Sequence, residues 1–235
     1  HQLCHEGLAA AFPPLRRPAD TPSNLPVIAS SFVGRDREVA EVLELLSRTR
    51  IATLTGSGGC GKTRLALEAC RALRAGSPDG VWWVDLAPVA DPSLVPAVAL
   101  AALGGRIAMG ADPLAALTAF VADRELVIMI DNAEHLLDAC ARLGRAVLEA
   151  APGVRLLVTS REPMGIEGEW VWRVPSLPAP EVGAGADGVL RSDAGRLFDE
   201  RARQARADFR VTDDNASAVA HICRRLDGIP LAIEL

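Results

Sequence analysis

The chain has 235 residues, 49% apolar and 23% charged, with a formal net charge of −5. That length holds one full α/β domain and part of a second, and the balance is that of a globular protein. The acidic charge argues against direct DNA binding by this segment, and no apolar run approaches the ~18 residues of a membrane span; the five scattered cysteines, with no C-x-x-C pair, fit a reducing, cytoplasmic setting.

Residues 1–30 carry Pro13, Pro14, Pro18, Pro22 and Pro26 with little periodicity and read as a linker from an upstream domain. His1, Cys4 and His5 lack the partner pair a metal site needs. Ser31-Phe32-Val33-Gly34-Arg35 leads into a helix with Val39, Val42, Leu43 and Leu46 on one face. The Gly34-Arg35 pair is either a turn and cap or a contact to a nucleotide.

Ile51 to Thr55 reads as a buried strand, and Arg64 to Leu73 as a helix. Between them Gly56-Ser57-Gly58-Gly59-Cys60-Gly61-Lys62-Thr63 fits G-x-x-x-x-G-K-[ST]. The glycines let backbone N–H groups converge on phosphates, and the helix N-terminus adds partial positive charge. Lys62 reaches the terminal phosphates and the Thr63 hydroxyl can ligate Mg²⁺. Lys62 is the only lysine among twenty-five basic residues, and a compact ammonium suits a tight phosphate loop better than a planar fork does. Cys60 is either a small residue the turn tolerates or an acidified, redox-sensitive thiol.

Gly80 to Leu86 is a second strand in which Trp82 and Trp83 read as sheet-face or core residues. Pro92 to Leu103 and Pro113 to Ala122 are helices with Pro near the start. Glu125 to Asp131 is a buried strand ending in an acid, and the carboxyl end of a parallel strand faces the ligand crevice. Asp131 is therefore either a Mg²⁺ ligand or the N-cap of the helix expected over Glu134 to Ala150. Asn132 cannot act as a base. Glu134 either takes that role or complements the helix dipole. Val154 to Arg161 is a fourth strand whose end would set Thr159 or Ser160 near a γ-phosphate, and Arg161 either pairs with that phosphate or is a solvated arginine after the strand. Trp170 to Val174 is a fifth. Pro175, Pro178 and Pro180 and the Gly/Ala-rich stretch to Gly188 mark a boundary, and helices follow over 192–205, from Thr212 to Leu226, and from Pro230.

FVGR at 32–35, TLTGSGGCGKT at 53–63, LVIMIDNAEHLLDA at 126–139, LLVTSREP at 156–163 and GIPLAIEL at 228–235 occur in that order. Together they resemble the NB-ARC-like nucleotide-binding module of the signal-transduction ATPases with numerous domains (STAND). The bacterial branch of LuxR-type and AfsR-like transcriptional regulators is the most similar. HQLCHEGL…FPPLR at the N-terminus is similar to the tail of a nucleotide-cyclase-like domain. The resemblance implies an ATP/ADP switch with Mg²⁺ as cofactor. Gly56, Ser57, Gly58, Gly59, Cys60, Gly61, Lys62, Thr63 and Arg64 would bind phosphates, Thr63 and Asp131 would hold the metal, and Arg161 would act as sensor. Val33, Gly34 and Arg35 would line the adenine side, with Pro230 on the base. Lys62, Asp131, Glu134 and Arg161 form the catalytic set. The implied partners are a winged-helix region and a helix-turn-helix downstream, with ATP-dependent self-association.

The fold expected is a three-layer α/β P-loop domain over 31–176, five parallel strands in the order 5-1-4-3-2, and a partial helical subdomain over 177–235. A free-standing kinase would need an Arg-rich lid, which is not evident, and a non-hydrolysing nucleotide scaffold is the third reading. A GTPase would need a second lysine for base recognition.

Overall fold

In the computed structural model, which describes residues 21–235, five parallel strands form one sheet. They are β1 (Ile51–Thr55), β2 (Val81–Asp85), β3 (Val127–Asp131), β4 (Arg155–Thr159) and β5 (Trp170–Arg173), in the spatial order β2-β3-β4-β1-β5. That is the order read from the sequence, in reverse direction. Every residue of β1 and β3 is buried, as expected of central strands covered on both faces. Side-chain alternation divides them between two cores. Ile128 and Ile130 face the layer of α3 (Val95–Ala102), α4 (Pro113–Val121) and α5 (Leu137–Ala150). Val127 and Met129 face the layer of α1 (Asp36–Arg48) and α2 (Lys62–Leu73). The register sets Asp85 beside Asp131 and Leu54 beside Thr159, so the strand tips share one edge of the sheet.

Beyond β5 a smaller helical unit has its own core of Leu177, Val189, Leu197, Val219 and Cys223, among others. Its elements are α6 (Ala186–Arg191), α7 (Asp193–Ala205), α8 (Asp213–Arg225) and α9 (Pro230–Glu234). The stretch taken as a boundary is thus partly helical. α6 starts inside it because Asp213, at the head of α8, accepts from the Ala186 N–H at 2.8 Å and supplies a long-range cap. Thr212 and Asn215 close a capping box on α8.

Two further readings change. The helix expected from Glu134 is broken at Leu136 (φ −133°, ψ 28°), so Ala133–His135 form a separate 3₁₀ turn and α5 begins at Leu137. The apolar stripe runs through the break unaltered, so periodicity alone does not reveal it. Residues 21–30, read as linker, lie against the domain: Leu25 and Ile28 pack on the core beneath α2. The readings placed on His1, Cys4, His5 and the cyclase-like tail lie outside the described residues.

Within the helical unit, the segment that follows β5 meets the chain leaving α8 at a tight point. The Leu177 N–H donates to the Gly228 carbonyl at 2.9 Å. Gly228 has φ +63°, and a Cβ there would sit 2.0 Å from the Leu177 carbonyl oxygen. Backbone atoms on both sides cannot yield, and a left-handed L-residue is itself strained by about 1–2 kcal/mol. Gly228→Ala is expected to destabilise the protein by about 2–4 kcal/mol, read as a lower urea midpoint.

Candidate functional site

The carboxyl edge of the sheet, the phosphate loop and the helical unit enclose a cleft of about 570 Å³. It is lined by Phe32, Val33, Arg35, Gly58, Gly59, Gly61, Lys62, Thr63, Arg64, Asn132, Glu134, Arg161, Pro230 and Leu231, among others. The structure therefore brings most of the residues singled out in the sequence to one place, while Gly34, Gly56, Ser57, Cys60 and Asp131 lie outside its lining. A second cavity of similar size, beside α6, has none of them.

The loop is shaped by its glycines. Gly59 (φ +76°) and Gly61 (φ +92°) adopt left-handed backbone that a side chain would oppose, and they turn the chain so that its amides face the cleft. The N–H groups of Gly58, Gly59, Gly61, Lys62, Thr63 and Arg64 have no hydrogen-bond partner among the described residues. Unpaired donors converging at a helix N-terminus match the oxygens of a di- or triphosphate. Lys62 Nζ donates to the Gly56 and Ser57 carbonyls at 2.9 and 3.0 Å, which keeps the ammonium at the front of the loop.

Thr63 and Asp131 come together as the metal assignment requires. Thr63 Oγ1 donates to Asp131 Oδ1 at 2.8 Å. Thr159 Oγ1 donates to the same carboxylate oxygen and accepts from the Asn132 N–H at 3.1 Å. Thr159, considered above as a γ-phosphate sensor, instead orients Asp131. Burial pushes the Asp131 carboxyl above its usual range, against the hydrogen bonds from Thr159 and Thr63 that favour the charged form. A buried carboxylate beside a hydroxyl, at the foot of a phosphate cradle, suits a hard divalent cation such as Mg²⁺ that completes its shell with phosphate and water. Asp131 caps no helix. Among the described residues no group of three or more His, Cys, Asp or Glu is placed to hold a metal by itself.

Asn132 has a conformational reason to be Asn. It is left-handed (φ 58°), a region in which Asn is enriched, and it turns the chain out of β3. Glu134 follows in the 3₁₀ turn, outside the first turn of α5, so the helix-dipole role does not apply. Its Oε1 pairs with Arg161 Nε at 3.3 Å, while Oε2 is buried without a partner. Arg161 extends over the loop, with its NH2 3.8 Å from where a Cβ on Gly58 would be.

Arg35 lines the cleft and forms the turn expected before α1. It sits at the start of α1 in left-handed backbone (φ 68°) but makes no side-chain cap. Its guanidinium is buried and donates to the Cys60 and Pro175 carbonyls at 2.7 and 2.9 Å. It thereby ties the phosphate loop to the segment leaving β5. Desolvation lowers its pKa, in opposition to nearby acids. Val33 packs on the core of the helical unit and Gly34 against Asp193 of α7, so the FVGR segment is held between the two units. Pro230 begins α9, and the next N–H, that of Leu231, donates to the Gly59 carbonyl at 3.2 Å. Cys60 is buried, like Cys70, Cys140 and Cys223, and none of the four is disulfide-bonded. Trp82 and Trp83 pack on the two sheet cores, far from any base-stacking role.

A parallel sheet in this order, with the phosphate loop after β1 and an aspartate at the tip of β3, defines a P-loop NTPase fold. Residues 27–164, well over half of the chain, match the family described as Novel STAND NTPase 1, and the chain belongs to that family. It is similar to an uncharacterized protein of Mycobacterium tuberculosis, 42% identical over 206 residues, 88% of this chain and 50% of that protein. A second Mycobacterium tuberculosis relative, described as an HTH-type transcriptional regulator, is 43% identical over 190 residues, 81% of this chain and 20% of that protein. The chain thus spans half or less of the length of these relatives. Among solved structures, the STAND protein with a tetratricopeptide repeat sensor from Pyrococcus horikoshii shares the fold, with a TM-score of 0.54 at 16% identity, covering 94% of this chain and 31% of that one. No helix among the described residues is long and apolar enough to cross a membrane.

Proposed function

We propose that this chain is the ATP/ADP-binding switch module of a multidomain transcriptional regulator, of the NB-ARC-like, LuxR-type or AfsR-like kind, and that it hydrolyses ATP slowly. The observation that carries this reading is the Leu231 N–H on the Gly59 carbonyl, which seats the helical unit directly on the phosphate loop. Any change in how the loop holds phosphates alters the surface on which α9 rests.

In this reading the six free loop amides and Lys62 bind the phosphates, with the purine between Val33, Arg35 and Pro230. Thr63 and Asp131 hold Mg²⁺, which neutralises phosphate charge when bound. Arg161 exchanges its Glu134 partner for the terminal phosphate, because a phosphate oxygen carries more charge than a carboxylate oxygen offers. The released Glu134 then has both oxygens available to orient water and take its proton. Diphosphate leaves the Arg161–Glu134 pair intact. The two nucleotides therefore stabilise different arrangements of one pair, which is what a population-shifting switch needs. The description of the second Mycobacterium tuberculosis relative as an HTH-type transcriptional regulator supports a place upstream of a DNA-binding domain, and self-association in the ATP state would follow from a rearranged α9 face.

Isothermal titration tests the binding: saturable, Mg²⁺-dependent uptake of ADP and ATP is expected, and no uptake would refute the reading. For turnover, Glu134→Gln is expected to lower the single-turnover rate about 100-fold while leaving ATP affinity within about threefold. An unchanged rate would remove Glu134 from the chemistry, and no hydrolysis by the unmutated chain would favour the scaffold reading.

A further inference from the structure

Residues 21–32 run as an extended strap from the free edge of β2 to the mouth of the cleft, held at intervals by α2 and the sheet. At the far end Arg74, just past α2, donates to the Thr21 carbonyl at 3.0 Å, and the Val81 N–H donates to the Pro22 carbonyl at 3.2 Å. Asn24 imitates a pairing strand residue: its Oδ1 accepts from the Trp83 N–H at 2.6 Å and its Nδ2 donates to the Trp83 carbonyl at 2.8 Å. Midway, Arg71 donates to the Pro26 carbonyl at 2.9 Å. At the near end Arg64 donates to Ser30 Oγ at 2.5 Å and to the Ser30 and Ser31 carbonyls at 2.9 Å each, and lies 6.0 Å from the Phe32 ring centroid. Between anchors the chain meets solvent, with Val27 98% exposed.

Arg64 and Arg71 are seven residues apart, two helical turns, and so project from one face of α2, with Arg74 one turn further. Arg64 and Arg74 have no ion-pair partner among the described residues, and the Nε of each is buried without an acceptor. Their charges are spent on strap carbonyls, which makes the attachment specific and also readily reorganised. Arg64 follows Thr63 directly, and its own N–H is one of the free amides of the phosphate cradle. One turn of α2 therefore holds phosphates with its backbone and the strap with a side chain.

We propose that strap docking and nucleotide binding are coupled through α2, so that phosphate occupancy in the cleft is reported along residues 21–32 to the opposite edge of the sheet. The proposal rests on the nucleotide-binding reading above. Linkage makes the effect reciprocal: a bound nucleotide holds the strap, and a loosened strap weakens the nucleotide.

Two measurements on the full chain test it. Hydrogen exchange with and without Mg·ADP is expected to slow about fivefold or more at amides of 21–32, as well as at 56–64. Protection of the loop with unchanged exchange at 21–32 would overturn the coupling. The double variant Asn24→Ala/Arg74→Ala, whose residues do not line the cleft, is expected to weaken Mg·ADP binding by about fivefold, the lower end of usual coupling. Unchanged affinity would overturn it as well. Binding without coupling removes this inference alone, whereas no binding by the unmutated chain removes the nucleotide reading with it.

Discussion

Lys62→Ala is expected to lower the affinity for ADP and ATP by about 100-fold or more while shifting the melting temperature little. The ammonium makes two hydrogen bonds to loop carbonyls and stands at the front of an array of free amides. Each charge-assisted bond it would make to a phosphate oxygen is worth about 1.5–3 kcal/mol, and about 1.4 kcal/mol is tenfold in affinity. Among the described residues, no other cation of the cleft stands at the front of the loop amides: Arg35 is buried between two carbonyls, Arg64 is engaged by the strap, Arg201 is paired with Glu200 and Glu234, and Arg161 approaches from the Glu134 side. The fold does not rely on Lys62, because the loop's shape comes from backbone that glycine permits. Lys62→Arg is not expected to restore binding, since a planar fork cannot occupy the position of a compact ammonium. Titration of nucleotide into both variants, with thermal melts alongside, checks this. Unchanged affinity in Lys62→Ala would mean that the loop does not bind phosphates.

Asp131→Asn has two expected effects of opposite sign. The amide keeps the size of the carboxylate, and its oxygen can still accept from Thr63 and Thr159. What it loses is the charge. Burial already disfavours the charged form of Asp131, so the neutral isostere is expected to stabilise the nucleotide-free protein by about 1 kcal/mol, a rise of about 2–4 °C in melting temperature. The same change removes the anionic ligand for Mg²⁺, so hydrolysis is expected to fall about 100-fold and the Mg²⁺ dependence of ATP affinity to flatten. A variant that melts lower and keeps its Mg²⁺ dependence would assign Asp131 to structure instead of metal.

The central features of the site were legible because they are local and chemically unusual. A glycine-rich turn between an apolar strand and a helix has few other uses, and an acid closing five buried residues stands at a known edge of a parallel sheet. The strand order was the expectation for a P-loop domain of that kind, and the sheet has it. Features created by contacts distant in sequence were not legible. Arg64 read as a phosphate contact and nothing marked Arg71 and Arg74, and the strap that all three hold read as a proline-rich linker, because Asn24 and the bare carbonyls of residues 21–31 carry no periodic signal. α6 was hidden by its Gly/Ala composition and is capped by an aspartate 27 residues after its first residue, Ala186. The pairing of Glu134 with Arg161 depends on the break at Leu136, which leaves the apolar stripe intact. Thr159 offered a clue in being a polar residue at the tip of a buried strand, but two neighbouring uses were open to it until its distance to Asp131 was known.

The switch itself is tested most directly by hydrogen exchange across residues 177–235 in Mg·ADP against Mg²⁺ with a non-hydrolysable ATP analogue. Different protection in the two states is predicted at Leu231 and the following residues of α9, where the helical unit rests on Gly59. Identical protection with both nucleotides bound to saturation would contradict a switch and leave a nucleotide-binding domain that does not distinguish the two.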